Sequence, residues 1–143
     1  MACWMQGRLR LALTILTQRA TMFFKYALVV HKIFTMPVAD VYVHYLNKVE
    51  RKNRTESELI EVITWLTSFD SKTLSGHLKK KTTFDEFFKA AKIHPNAHLI
   101  TGSICGVKIA EIDDPLMKKI RYMDKLVDEL AKGRPMAKIL RSI

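Results

Sequence analysis

Two Thr-x-x-Glu tetrads, Thr55-Glu56-Ser57-Glu58 and Thr83-Phe84-Asp85-Glu86, constrain this chain more than any other feature. In such a capping box the threonine hydroxyl accepts from the amide three residues on, and the glutamate reaches back to the threonine amide. Two donors that a helix start leaves without partners are thereby satisfied. Each tetrad therefore fixes a helix start and excludes a strand directly after it. Behind the first, Leu59, Val62, Ile63, Leu66 and Phe69 recur on one side, with Trp65 beside them; behind the second, Phe84, Phe87, Phe88 and Ala91 do the same. Between them, Asp70 or Ser71 caps a shorter helix over roughly Lys72 to Lys80, with Leu74 and Leu78 as an inward pair and Gly76 as a weak point.

Upstream, Val38, Val41, Tyr42, Tyr45, Leu46 and Val49 follow helical spacing, which predicts a helix from Pro37, as its first residue, to Lys52, broken at Asn53-Arg54. Downstream, Pro95-Asn96 marks a turn. The stretch from Leu99 to Ile109 is rich in β-branched residues, with Gly102 and Gly106 inside it, and predicts a short antiparallel strand pair turning around these glycines. Asp114 then caps, and Pro115 opens, a helix carrying Leu116, Ile120, Met123, Val127 and Leu130. Gly133 stops it, and Pro135 begins a last short helix with Met136, Ile139 and Leu140. The expected fold is α+β: one mostly helical domain over residues 31–143, with the small strand pair packed on the Pro115–Lys132 helix.

Charge divides the chain in two. Of 24 Lys and Arg against 14 Asp and Glu, net +10, residues 1–30 hold four bases (Arg8, Arg10, Arg19, Lys25) and no acid. Leu9, Leu13, Leu16 and Ala20 share one helix face there, the pattern of a targeting or membrane-surface helix. A membrane span needs about 20 predominantly apolar residues, and Arg10, Arg19 and Lys25 interrupt every window. The absence of serine and of a processing site favours the other reading, a translation start further in, such as Met22. Two cysteines, Cys3 and Cys105, are too few for a disulfide framework. They read as free thiols in a reducing, cytoplasmic compartment.

The residues from Lys32 to Ser142 resemble the uncharacterised prokaryotic family known as domain of unknown function 2200. The resemblance rests on Ile33-Phe34-Thr35-Met36, Val41-Tyr42, Trp65-Leu66-Thr67, Leu99-Ile100-Thr101-Gly102, Cys105-Gly106 and Pro115-Leu116-Met117. Most specific is the run from Ile120-Arg121-Tyr122 through Lys125-Leu126 to Asp128-Glu129-Leu130-Ala131-Lys132-Gly133. Members of that family start near the Ile33 segment, which implies that residues 1–30 are a non-family extension. The family has no assigned activity, cofactor or catalytic residues, so the resemblance implies none. Where the family tends to have Gly-Tyr, this chain has Ser68-Phe69 and lacks the tyrosine hydroxyl.

Few residues can carry chemistry. Cys105, between glycines that let a ligand approach, is the candidate nucleophile or redox thiol, with His94 or His98 as the base that would activate it. The opposing reading is a small buried residue. His94, His98, Cys105 and Asp113 lack metal-ligand spacing, because Pro95 keeps the two histidines off one regular helix face. Asp113-Asp114 reads as a helix cap rather than an acid/base pair. The basic clusters Arg51-Lys52-Arg54, Lys79-Lys80-Lys81, Lys118-Lys119-Arg121 and Arg134-Lys138-Arg141 are interspersed with acids, which reads as solvated helix surface more than as a nucleic-acid footprint. No phosphate loop and no nucleophile elbow occurs, and no cofactor is implied. The leading expectation is a non-catalytic binding or regulatory module, with a homodimer through the Leu116–Leu130 seam among its partners. The alternatives are a small enzyme or redox protein using Cys105, and a nucleic-acid-binding module.

Overall fold

The computed structural model describes residues 32–142, and the expectations for residues 1–30 lie outside them. Both capping boxes form. Thr55 Oγ1 accepts from the Glu58 amide at 3.3 Å while the Thr55 amide donates to Glu58 at 2.9 Å; Thr83 and Glu86 repeat the pattern. They open α2 (Glu56–Thr67) and α4 (Phe84–Ala90). The helix before them, α1 (Val38–Glu50), begins one residue later than its sequence predicts, and Pro37 is its N-cap in extended conformation. The reason lies in a distant segment. Pro37 and Thr83 form an antiparallel bridge, in which the Val38 amide donates to the Thr82 carbonyl at 2.9 Å and the Phe84 amide to the Met36 carbonyl at 3.1 Å. A bridge needs extended backbone on both sides, so it clamps the starts of α1 and α4 together.

Ser68, with φ +57°, ends α2. Phe69 therefore lies beyond the helix and not on its inward face. Its ring packs edge-on against Phe87 at 5.2 Å and beside His77 at 4.9 Å. The carbonyls left at the end of α2 are taken up by the returning chain: the Lys92 amide donates to Thr67 and the His94 amide to Leu66. Between these helices, α3 (Ser71–Lys79) is capped by Asp70, whose carboxylate accepts from the Thr73 amide at 2.6 Å.

Two short strands follow a 3-10 turn over Pro95–Leu99. β1 (Ser103–Ile104) pairs antiparallel with β2 (Val107–Lys108), Ser103 facing Lys108 and Ile104 facing Val107. The turn is Cys105-Gly106, with φ +58° and +75°, the mirror-type two-residue turn whose twist suits a hairpin. The sequence expectation of a pair centred on both glycines is thus narrowed, because Gly102 precedes β1 and Ile109–Glu111 is another 3-10 turn. The fold class is as expected, α+β and mostly helical with one small antiparallel sheet.

The long helix α5 (Pro115–Ala131) starts as its sequence dictates, with Asp114 accepting from the Met117 amide at 2.8 Å and Pro115 as the first helical residue. Its buried Ile120, Met123, Leu126, Val127 and Leu130 meet Val41 and Val49 of α1, Leu59, Val62 and Leu66 of α2, and the phenylalanines of α4 in one core. No helix among the described residues is long and apolar enough to cross a membrane.

Beside that core runs a polar seam between α1 and α5. The Tyr45 hydroxyl donates to Asp124, which Arg121 also meets at 3.1 Å, and Asp128 takes Lys48 at 3.0 Å and Lys132 at 2.8 Å. Arg121, expected on a solvated basic surface, is therefore buried, because it lies one turn from Asp124 on the inward side of α5. Burial pushes the Asp124 carboxyl above its ordinary range, against the pull of Tyr45 and Arg121. Burial also acts to raise the Asp128 carboxyl, but the hydrogen bonds from Lys132 and Lys48 outweigh it and hold that carboxyl low.

Two outcomes follow from this seam. Tyr45→Phe leaves the largely covered Asp124 short of a donor and lowers stability by about 1–3 kcal/mol in urea unfolding at neutral pH. Asp128 titrates lower in the folded chain than in the unfolded one, so its contribution is complete above the unfolded carboxylate value of about 4 and fades as pH falls through its lowered folded value. Asp128→Asn therefore makes the acid-side fall in stability shallower than in the parent chain, measured by urea unfolding from about pH 5 to about pH 3.

Candidate functional site

The residues singled out by sequence do not converge. Cys105 sits half-buried at the hairpin turn and is disulfide-bonded, which corrects the expectation of a free thiol. His94 caps the Pro95–Leu99 turn, its Nδ1 accepting from the Asn96 amide at 3.1 Å, and its ring stacks on Trp65 at 4.3 Å. His98 is exposed, and its Nδ1 donates to the Pro95 carbonyl at 2.7 Å. Both imidazoles are thus engaged in closing their own loop. Among the described residues no three His, Cys, Asp or Glu side chains gather into a metal-holding group.

A different constellation forms at the far end of α5. Gly133, with φ +79°, turns the chain back over the last helical turn. Its amide meets the Leu130 carbonyl at 3.0 Å, and the Arg134 amide meets the Glu129 carbonyl at 3.1 Å. This paired closure returns Arg134 to Glu129. The Arg134 guanidinium then donates to Glu129 Oε1 at 2.9 Å. The short helix α6 (Met136–Ile139) ends in the same way, with the Ser142 amide on the Ala137 carbonyl at 3.1 Å. Here the left-handed position is held by Arg141, with φ +47°.

A non-glycine residue in that conformation costs about 1–2 kcal/mol. What holds it is a fork. Arg141 Nη1 and Nη2 donate to the two carboxylate oxygens of Glu129 at 2.6 and 3.0 Å, and Nη1 also reaches the Ile139 carbonyl at 2.6 Å. The Glu129 side chain is 7% exposed and that of Arg141 10%, whereas Arg134 remains 44% exposed. One buried carboxylate thus organises two guanidinium groups, one fixed and the other open to solvent.

These groups line a cleft of about 490 Å³ between α5, α6 and the Leu99–Thr101 segment. Lys125 and Lys138 complete its charged lining, and neither has a carboxylate partner among the described residues. Lys125 Nζ donates to the Ser103 carbonyl at 3.1 Å, which ties the hairpin to α5. Four cations against one carboxylate leave the lining at a net +3. Sequence reasoning read Arg134, Lys138 and Arg141 as a solvated end and Glu129 as an acid diluting it. The missed signal was Gly133: a left-handed stop there returns residue 134 to the acid five positions earlier.

Glu129→Ala leaves Arg141 buried without its counter-ion, and chemical unfolding should read a loss of about 3–5 kcal/mol. Adding Arg141→Met to that variant removes the orphaned charge and restores part of the loss, an outcome additive surface effects do not produce.

Residues 32–141 match the family of uncharacterized proteins conserved in bacteria, DUF2200. The fold is similar to the crystal structure of the uncharacterized protein SP1917, with 42% sequence identity, a TM-score of 0.73, and 77% of this chain and 91% of that chain covered. No curated protein matches. With the family pattern spanning nearly all the described residues and a solved relative sharing the fold, this chain belongs to the DUF2200 family.

Proposed function

We propose that the chain is a non-catalytic binding module whose ligand is an anion held in the cleft between α5 and α6. The observation that carries this reading is the surplus of positive charge there: among the described residues Lys125 and Lys138 have no carboxylate partner, beside two arginines that share one. Cations gathered with one acid in a concavity raise the local potential for anions, and low-dielectric walls strengthen it. Guanidinium groups already ordered by Glu129 bind with less loss of side-chain freedom than mobile ones. What sets these bases apart is their gathering around one concavity, whereas Lys89 with Asp85 and Lys108 with Glu111 are isolated pairs on open surface. The Cys105 alternative draws no support from a disulfide-bonded sulfur and two histidines engaged in their own loop. The nucleic-acid alternative rests on the exposed Lys79, Lys80 and Lys81 at the end of α3.

Titration of the full chain with inorganic pyrophosphate in low salt tests the reading. One equivalent binds, raises the melting temperature, weakens as salt rises, and is not hydrolysed. Lys138→Met weakens it by about tenfold, a loss of about 1.4 kcal/mol. Absence of binding, or binding that Lys138→Met does not alter, overturns the cleft as the site. A duplex DNA that binds equally to both proteins transfers the reading to Lys79–Lys81.

A further inference from the structure

Resting on that reading, we infer that the anion is a phosphate monoester whose remaining part is small and hydroxylated. The first reason is charge. With Glu129 counted, the lining retains +3, and a monocarboxylate would cancel only one of these charges. A phosphate monoester brings about −1.5 to −2 at neutral pH on three acceptor oxygens.

The second reason is the kind of donor on offer. Arg141 is bound on two sides by Glu129 and by the Ile139 carbonyl, so it stiffens the cleft more than it binds. Arg134 spends one contact on Glu129 and stays 44% exposed, and Lys138 contributes a compact charge. A planar fork and a point charge suit the separate oxygens of one phosphoryl group.

The third reason is the rest of the wall. The volume of about 490 Å³ lies within the range of small-molecule pockets, well beyond what a bare phosphate fills. Beside the cations it is lined by two hydroxyl-bearing residues, Thr101 and Ser142, and by the partly exposed Leu99. Among the described residues no aromatic ring lines the cleft to stack on a base. Hydroxyls beside one aliphatic surface fit a polyhydroxylated carbon chain.

Isothermal titration of the full chain with ribose 5-phosphate, inorganic phosphate and ribonate separates these terms, because the probes vary the organic part and the phosphoryl group in turn. Ribose 5-phosphate is expected to bind at least about tenfold more tightly than either of the others, and Lys138→Met to reduce that affinity by about tenfold. Lys138 is exposed and makes no ion pair among the described residues, and an unchanged melting temperature confirms that the variant folds. Equal affinity for ribose 5-phosphate and inorganic phosphate overturns the hydroxylated part. Equal affinity for ribonate overturns the phosphoryl class, while leaving an anion cleft in place. Binding of none of the three, together with no binding of pyrophosphate, overturns the cleft itself.

Discussion

Burial of one face of α5 is the interaction on which the other elements depend. Ile120, Met123, Leu126, Val127 and Leu130 are all at most 2% exposed, and they meet α1, α2 and α4 along successive turns. Each such side chain contributes about 1.5–3 kcal/mol on leaving water. The two-stranded hairpin has no comparable area of its own, and an isolated hairpin is marginal in water. It is stable as a part of this structure because Ile104 enters the core and because Lys125 holds the Ser103 carbonyl. The bridge between Pro37 and Thr83 serves the same core from the other side by fixing where α1 and α4 begin.

The same helix organises charge. Asp124, Asp128 and Glu129 occupy two adjacent turns at its C-terminal half, and each is taken out of water by bases or by a tyrosine hydroxyl. Acids there also oppose the negative end of the helix dipole, so bases must gather around them. The seam with α1 uses Tyr45, Lys48 and Arg121 for this purpose. At the end of the helix the bases come from beyond it, through the glycine stop and α6. Glu129 is therefore the point at which helix termination, a strained residue at 141 and the charged cleft become one problem. The strain at Arg141 is offset by the fork that the same side chain makes.

Much of the fold was legible because its signals are local. Thr55, Asp70, Thr83 and Asp114 cap where the sequence puts them, and the apolar spacing of α5 names its buried face. What was not legible is what distant segments impose. Pro37 reads as a first helical residue, and only pairing with Thr83 makes it an extended cap. Phe69 keeps the spacing of α2 but is carried out of the helix by the left-handed Ser68. The site was less legible than the fold. Reactivity cues drew attention to Cys105, His94 and His98, whose surroundings employ them in a bridge, a cap and a loop closure. The cleft uses residue types that resemble ordinary surface, and its meaning lies in which bases gather around one concavity.

That distinction changes what net charge says about this protein. A formal +10 by itself argues for a broad acidic partner, and four of those charges belong to residues 1–30. Within the described residues eight of the twenty bases are answered by an acid, among them Lys48 and Lys132 by Asp128, Arg54 by Glu58 and Arg121 by Asp124. A base answered in the folded chain contributes little to an incoming anion, because its field is cancelled at short range and screened by salt at long range. Lys125 and Lys138 have no such answer, and they face a concavity stiffened by a buried carboxylate. An attraction confined in this way is short-ranged and shaped. On the proposed reading it favours a ligand small enough to enter the cleft over a long polyanion lying across the surface.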